Sequence, residues 1–237
     1  MKYLVVNLKN KLMKSDVTKY SLKLEGFKTK NTELVIVPST IYISSFKKSY
    51  YKLGTQNISS IIDHTVTGEV TGEQLKSCGV EYALVGHSER RLFKHEINID
   101  FINEINHAVE NNIKVIYCIG ESLKERENGD TYQVLEKQIS EVLNNVETKS
   151  LLIAYEPVWS IGSGVIPTNS EITETILFIK DVCEENYNIN IKVLYGGSVN
   201  EENIKGLLNI KVLDGFLVGS AGLNVDSVEK MINFMDN

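Results

Sequence analysis

The sequence predicts an α/β protein built as one closed barrel of eight parallel strands, with helices between the strands. Short β-branched runs alternate with longer segments of polar and apolar residues, which is the pattern of strands joined by helices. Eight such runs are present, the number that closes a barrel of this kind. The chain has 237 residues, of which 42% are apolar, a size that such barrels reach as one unit. We therefore expect a single domain over residues 1–237.

The predicted strands are the β-branched apolar runs themselves. The third run is weaker than the others because it contains fewer apolar residues. In chain order the runs are 3–7, 33–38, 54–58, 82–86, 114–120, 151–155, 191–196 and 215–219.

The predicted helices lie between these runs. Thr71, Thr168 and Asp226 each stand three residues before an acid or amide side chain, a spacing that caps the free N–H groups at a helix start. Helices are also expected within residues 11–27 and near 44–52, although the apolar periodicity of both segments is poor.

Composition and charge exclude several classes of protein. No apolar run approaches the length of a membrane span, and the N-terminus has no signal-peptide pattern. The net charge of -6 and the pI near 5.4 argue against a nucleic-acid surface. Cys78, Cys118 and Cys183 are far apart and form no CxxC motif, so we interpret them as reduced structural thiols. We expect a cytoplasmic protein that binds neither membrane nor nucleic acid.

Polar and glycine residues follow most of the predicted strands directly. In a parallel barrel all strand ends of one kind open onto one face, so these residues are expected to surround a single site. Taken singly, each has an ordinary structural explanation, and the four histidines lack the spacing of metal ligands. The candidate residues are Asn7, Lys9, Gln56, Asn57, His87, Ser88, Glu89, Glu156, Gly196, Gly197, Ser198, Gly219 and Ser220.

Six motifs, in order and over the whole chain, resemble those of the triosephosphate isomerase family. That family has the TIM-barrel fold and interconverts dihydroxyacetone phosphate and D-glyceraldehyde 3-phosphate through an enediolate, in glycolysis and gluconeogenesis. The motifs are "NLK" at 7–9, "VGHSERR" at 85–91, "CIGES" at 118–122, "AYEPVWSIGSG" at 154–164, "YGGSV" at 195–199 and "DGFLVGSAGL" at 214–223.

The resemblance implies a role for each reacting side chain. Glu156 is the base, His87 is the neutral electrophile between the two substrate oxygens, and Lys9 is a fixed positive charge that Asn7 orients. Glu89 and Ser88 support them, and Glu89 is a candidate partner either for Lys9 or for a substrate hydroxyl group. No metal or organic cofactor is expected, because side chains alone can carry acid–base chemistry.

The substrate phosphate is expected to bind mainly to backbone N–H groups. Gly197 and Ser198 after the seventh strand, and Gly219 and Ser220 after the eighth, would form the anion cradle. The segment after Glu156 would be a lid that closes over the phosphate, with a stiff hinge at its root and a glycine-containing tip. The Gly162 N–H group in this tip would be a further donor to the phosphate. The lid residues are Pro157, Val158, Trp159, Ile161, Gly162, Ser163 and Gly164.

The segment "HTVTGEVTGE" resembles the loop through which family members form homodimers. We therefore expect a homodimer in which Thr67 reaches the partner's Asn7 and the partner's Glu89. The chain also departs from the family: Leu8 stands where Trp is common, Ser220 replaces a second glycine, and residues 165–167 form an unusual second hinge.

Three alternatives remain open from the sequence. The first is that the chain is another phosphate-binding barrel isomerase or epimerase. The second is a non-catalytic protein that binds sugar phosphates, and the third is a structural protein with vestigial motifs.

Overall fold

The computed structural model describes residues 1–47, 50–147, 151–162 and 165–237. Within these residues eight parallel strands pair in chain order, and the last pairs with the first, so that the barrel is closed. The strands are β1 (Lys2–Asn7), β2 (Thr32–Val37), β3 (Tyr51–Thr55), β4 (Val80–Val85), β5 (Lys114–Ile119), β6 (Leu151–Tyr155), β7 (Lys192–Tyr195) and β8 (Gly215–Val218). The predicted fold class, an eight-stranded TIM barrel, is confirmed.

Helices pack around the outside of the barrel. Short 3₁₀ turns at Thr40–Ser45, Val158–Ser160 and Ser220–Leu223 lie in the loops after three of the strands. The helices in the described residues are α1 (Lys14–Leu24), α2 (Gly72–Ser77), α3 (Ser88–Lys94), α4 (Asn98–Glu110), α5 (Leu123–Glu127), α6 (Thr131–Leu143), α7 (Asn169–Tyr187), α8 (Ile204–Leu207) and α9 (Val225–Asp236).

Two apolar layers hold these elements together. Alternate strand residues point to opposite faces, so one set fills the barrel and the other packs against the helices. Full burial of a large apolar side chain stabilises the fold by about 1.5–3 kcal/mol. The inner set is Tyr3, Val5, Val35, Val37, Tyr82, Leu84, Ile116, Cys118, Leu152, Ala154, Leu194 and Leu217.

The same alternation places polar side chains at the mouth of the barrel. Leu152 and Ala154 of β6 belong to the inner layer, and Glu156 is the next residue in that series. Asn7 holds the equivalent place at the end of β1 and is buried. Strand periodicity therefore directs both groups toward the barrel axis.

Two of the predicted elements are wrong. The third strand is not 54–58 but Tyr51–Thr55. Of the helix expected near 44–52, residues 48–49 lie outside the described residues, and the described ones belong to the end of the 3₁₀ turn Thr40–Ser45, to a non-helical connection and to the start of β3. Tyr51 is buried, and Gly54 lies inside the sheet, where a Cβ atom would come within 2.8 Å of Val37 Cγ2. Gly54, the first residue of the predicted run, is therefore a point of close packing inside the strand.

Two of the three predicted helix starts are confirmed. The side chains of Thr71 and Thr168 accept hydrogen bonds from backbone N–H groups three residues later, as a capping box requires. The start predicted at Asp226 is wrong because the capping residue of α9 is Asn224, two residues earlier, and the helix begins at the buried Val225. There Asn224 Oδ1 accepts the hydrogen bond from the Asp226 N–H group at 2.9 Å.

All three cysteines are unpaired. Cys118 and Cys183 are buried, as expected of structural thiols, whereas Cys78 is exposed. Among the helices of the described residues, none has the length and apolar character needed to span a membrane.

Candidate active site

The carboxyl ends of the strands surround a cavity of about 280 Å³. Polar groups from β1, β4 and β6 and backbone from the loops after β7 and β8 meet in its wall, as the sequence predicts. The lining residues are Asn7, Lys9, His87, Glu156, Ile161, Gly162, Gly196, Gly197, Ser198, Val199, Asn200, Leu217, Gly219, Ser220 and Ala221.

Glu156 is held by the packing of its own backbone. Its N–H group donates to the Ile119 carbonyl oxygen at 2.7 Å, and Gly120 packs directly against its carbonyl group. The carboxyl group is buried, and its Oε2 atom has no hydrogen-bond partner in the described part of the chain. Burying a carboxylate oxygen without a hydrogen-bond partner costs free energy of folding. Such an oxygen is available to take a proton from a ligand.

His87 is positioned by the turn that follows β4. Gly86 has a φ of 70°, which turns the chain sharply, and His87 then caps the start of α3. The Glu89 N–H group donates to His87 Nδ1 at 3.3 Å, so Nδ1 acts as the acceptor and the ring proton is assigned to Nε2. His87 Nε2 lies 3.3 Å from Glu156 Oε1. A hydrogen-bond donor and a carboxylate thus share one wall of the cavity.

Lys9 stands in a backbone conformation that few non-glycine residues adopt. Its φ is 50°, a conformation that costs on the order of 1 kcal/mol and persists where surrounding contacts impose it. The Lys9 N–H group donates to Asn7 Oδ1 at 3.0 Å, and Gln56 Nε2 donates to the Lys9 carbonyl oxygen at 2.6 Å. Lys9 Nζ reaches Glu89 Oε1 at 2.6 Å, so the expected pairing with Glu89 is present.

The far wall of the cavity offers unsatisfied backbone donors. The N–H groups of Gly197 and Ser198 meet no acceptor within the described chain. Ser220 opens a 3₁₀ turn, and the first N–H groups of such a turn have no partner within it. Ser220 does not have a positive φ, so a non-glycine residue fits there. Free N–H groups beside an ammonium group suit an anion such as phosphate.

The segment after Glu156 is anchored at its root. The Trp159 indole N–H group donates to Glu121 Oε1 at 2.8 Å, and Ser198 Oγ donates to the Ser160 carbonyl oxygen at 2.6 Å. Ile161 and Gly162 line the cavity. Ser163 and Gly164, which the sequence assigns to the tip, lie outside the described residues.

Sequence reasoning missed several residues of the site. Glu121 is fully buried and binds both Trp159 and Tyr155, whose hydroxyl group lies 3.2 Å from Glu121 Oε1, yet its only sequence signal is its place in "CIGES". Leu217 was detectable as the next inward residue of β8. The remaining missed lining residues follow the "YGG" and "GS" motifs directly and are Val199, Asn200 and Ala221.

Ser88 and Cys118 lie behind Glu156 rather than in the main cavity. Both line a void of about 10 Å³ that also touches Glu156. Burial, followed by the nearby Glu156 carboxylate, raises the pKa of the Cys118 thiol. The thiol is therefore a neutral, tightly packed neighbour of the carboxylate.

Thr67 lies on an exposed loop and does not line the cavity of its own chain. The same loop exposes Ile61, Ile62 and Val66. Within the described residues, no group of three or more His, Cys, Asp or Glu side chains has the arrangement of a metal site.

Comparison with known proteins agrees with this geometry. The family model for triosephosphate isomerase matches residues 2–235. The triosephosphate isomerase of Thermodesulfovibrio yellowstonii is 41% identical over 211 residues, which cover 85% of each chain. Those of Mesomycoplasma hyorhinis and Francisella tularensis subsp. novicida are 37% and 36% identical, covering 85% and 87% of this chain and 82% and 85% of their own. The chain belongs to the triosephosphate isomerase family.

Proposed function

We propose that this chain interconverts dihydroxyacetone phosphate and D-glyceraldehyde 3-phosphate by proton transfer, in glycolysis and gluconeogenesis. The observation that carries the proposal is the pair formed by His87 Nε2 and Glu156 Oε1, 3.3 Å apart in the wall of the cavity. The pair indicates acid–base chemistry, and the match to the triosephosphate isomerase family supports this particular reaction.

The reaction moves a carbonyl group by one carbon and needs a base beside an acidic C–H bond. Glu156 takes the proton from the carbon next to the carbonyl group, and an enediolate forms. The His87 Nε2–H group donates to the oxygens of this intermediate as they gain negative charge. His87 Nε2–H gives its proton to the former carbonyl oxygen, and Nε2 takes back the proton of the hydroxyl group on the neighbouring carbon. Glu156 then returns its own proton to the former carbonyl carbon, so that the product has the same atoms as the substrate.

Lys9 and the backbone donors supply the electrostatic part of the mechanism. The ammonium group of Lys9 stabilises the enediolate and attracts the anionic substrate, and Glu89 holds it in place. The N–H groups of Gly197, Ser198 and Ser220 bind the phosphate oxygens. Asn7 fixes the backbone from which Lys9 extends.

The segment from Pro157 onward acts as a lid. Its root is tied to Glu121 through Trp159, while Ile161 and Gly162 already border the cavity. Closure over the phosphate would exclude water from the enediolate and limit loss of its phosphate.

The decisive experiment is an isomerisation assay in both directions with the purified protein, coupled to a dehydrogenase. We expect turnover of both triose phosphates and none of tetrose or pentose phosphates. Binding of triose phosphate without turnover would instead indicate a non-catalytic binding protein. Turnover of larger sugar phosphates would indicate another barrel isomerase. Neither alternative receives support from the family match or from the relatives.

We also propose that the chain forms a homodimer through the loop that carries Thr67. The side chain of Phe93 beside the site is 69% exposed, and a second cavity of about 220 Å³ opens between Phe93, Lys9 and Glu89. A loop with exposed Ile62 and Val66 from a second copy would cover this apolar surface. Thr67 would then reach the partner's Asn7 and the partner's Glu89.

Sedimentation of wild type and Thr67→Arg would test this arrangement. We expect a wild-type dimer and a variant that dissociates and loses activity, because the long side chain of arginine does not fit the space of a threonine and burial of its charge at the interface is costly. An active wild-type monomer at assay concentration would refute the proposal.

Residues 1–237 are proposed to form one cytoplasmic domain. Pairing of β8 with β1 links the two ends of the chain, and the buried Cys118 and Cys183 are free thiols. A single cooperative unfolding transition and recovery in the cytosolic fraction are the expected results. Two separate transitions, or recovery with membranes, would argue against it.

A further inference from the structure

Arg126 of α5 contacts the N-terminal root of the lid in two ways. Its guanidinium carbon lies 4.6 Å from the centre of the Trp159 ring, within range of a cation–π interaction. Its NH1 group is 3.7 Å from Glu121 Oε1, the oxygen that accepts the Trp159 indole hydrogen bond. Glu121 is fully buried, so its negative charge requires such a partner.

The same guanidinium group also contacts the helix that follows the lid. Arg126 NH2 forms an ion pair with Glu171 Oε1 in the first turn of α7. Glu171 Oε2 accepts hydrogen bonds from the Thr168 N–H and hydroxyl groups at 2.7 and 2.8 Å. These hydrogen bonds first, and the charge of Arg126 after them, lower the pKa of Glu171. Thr168 is three residues beyond Val165, where the described chain resumes after the lid tip.

We infer that Arg126 is a positioning residue that couples the two roots of the lid, so that they move together. This inference rests on the proposed function, because it concerns the lid of that same site. Arg126 does not line the substrate cavity, so its effect must pass through Trp159 and Glu171. It does line a separate cavity of about 300 Å³ between α5, α6 and α7, which gives the side chain space to follow Trp159.

Loss of this coupling has a specific chemical consequence. A lid whose roots move independently closes less completely over the phosphate, and the enediolate is exposed for longer. The exposed intermediate breaks its C–O bond to phosphate, releasing inorganic phosphate and an enol that becomes methylglyoxal. Reprotonation by Glu156 competes with this elimination, so the ratio of the two products reports lid closure.

The test uses the full-length protein with Arg126→Met, Glu171→Gln and the double variant. A glutamine at 171 keeps the helix cap, as Gln74 does for Thr71, and removes only the ion pair. Lys137→Met is the matched control, since it removes an exposed cation of α6 whose ion pair within the described residues is with Glu141 at 3.9 Å. Methylglyoxal, phosphate and isomerised product are measured together, and turnover of unphosphorylated D-glyceraldehyde is measured separately.

We expect Arg126→Met to lower kcat/KM for D-glyceraldehyde 3-phosphate about tenfold and to raise the eliminated fraction about fivefold. Turnover of D-glyceraldehyde, which has no phosphate for the lid to hold, should change less than about twofold. Glu171→Gln should raise the eliminated fraction about twofold. The double variant should match Arg126→Met alone, because both single changes remove the same ion pair between Arg126 and Glu171. Lys137→Met should behave as wild type.

Equal losses with both substrates and an unchanged eliminated fraction would show that Arg126 only stabilises the fold, and would overturn the inference. Should Arg126→Met fail to fold, an unchanged eliminated fraction in Glu171→Gln would have the same meaning. An inactive wild-type protein would instead refute the proposed function, so the two failures are distinguishable.

Discussion

Gly120 is the residue whose substitution best tests how Glu156 is positioned. A Cβ atom added at Gly120 would lie 1.8 Å from the Glu156 carbonyl oxygen and 2.6 Å from its carbonyl carbon. Cβ atoms essentially never come closer than 3.0 Å to a heavy atom outside their own residue and its two chain neighbours. Gly120→Ala therefore requires the two backbones to separate by at least 3.0 − 1.8 = 1.2 Å.

The packing around Gly120 decides which backbone moves. The Gly120 N–H group donates to Gln138 Oε1 at 2.9 Å, and Gln138 Nε2 donates to the Gly120 carbonyl oxygen at 3.1 Å. Because these two hydrogen bonds hold the Gly120 backbone against Gln138, we expect the backbone of Glu156 to be displaced instead. A misplacement of about 1 Å at a catalytic group costs about 100-fold in rate. We expect kcat to fall about 100-fold, with KM changed only a few-fold, and stability to fall by about 1–3 kcal/mol.

The measurement is steady-state isomerisation at saturating substrate, together with thermal unfolding of each protein. Gly206→Ala is the control, because a Cβ atom at Gly206 in α8 has no heavy atom within 4 Å. That variant should keep wild-type kcat and gain about 0.5–1 kcal/mol from better helix propensity. A folded Gly120→Ala protein with kcat within threefold of wild type would refute the argument that this contact positions the carboxylate.

Three further variants test separate parts of the site and the fold. Glu156→Gln should lower kcat by about 10,000-fold while a substrate analogue still binds in calorimetry, since the amide keeps the shape but accepts no proton. Lys9→Ala should lower kcat and raise KM, and Lys9→Arg should rescue little; full activity in either would remove Lys9 from the site. Burial, and then the charge of Glu96, raises the pKa of Glu104 from 4.5 to about 9. The folded protein therefore binds more protons than the unfolded chain between these values, so stability should fall as pH rises through this window. Glu104→Gln should abolish that fall and add about 2–4 kcal/mol at pH 8 in urea unfolding, whereas an unchanged pH profile would mean that Glu104 is ionised in the folded protein.

The amino-acid sequence by itself determined the fold class and most of the residues that line the cavity. Strand and helix periods are local properties, so seven of the eight strands and the inward direction of Glu156 could be predicted from short segments. Asn7, His87 and Ser198 were predicted because they follow strands whose ends must meet at one face of a parallel barrel. Motif order then indicated the family.

Only the tertiary structure decided which residues hold those groups in place. Gln56 binds the Lys9 carbonyl group from 47 positions away, and Glu121 binds Trp159 from 38 positions away. The bridge formed by Arg126 and the contact of Gly120 with Glu156 likewise join separate elements. The third strand was misplaced for a related reason, because the packing of Gly54 against Val37 depends on the register of a neighbouring strand. Such contacts depend on how the barrel closes and how its strands are staggered, and no local pattern in the chain encodes that geometry.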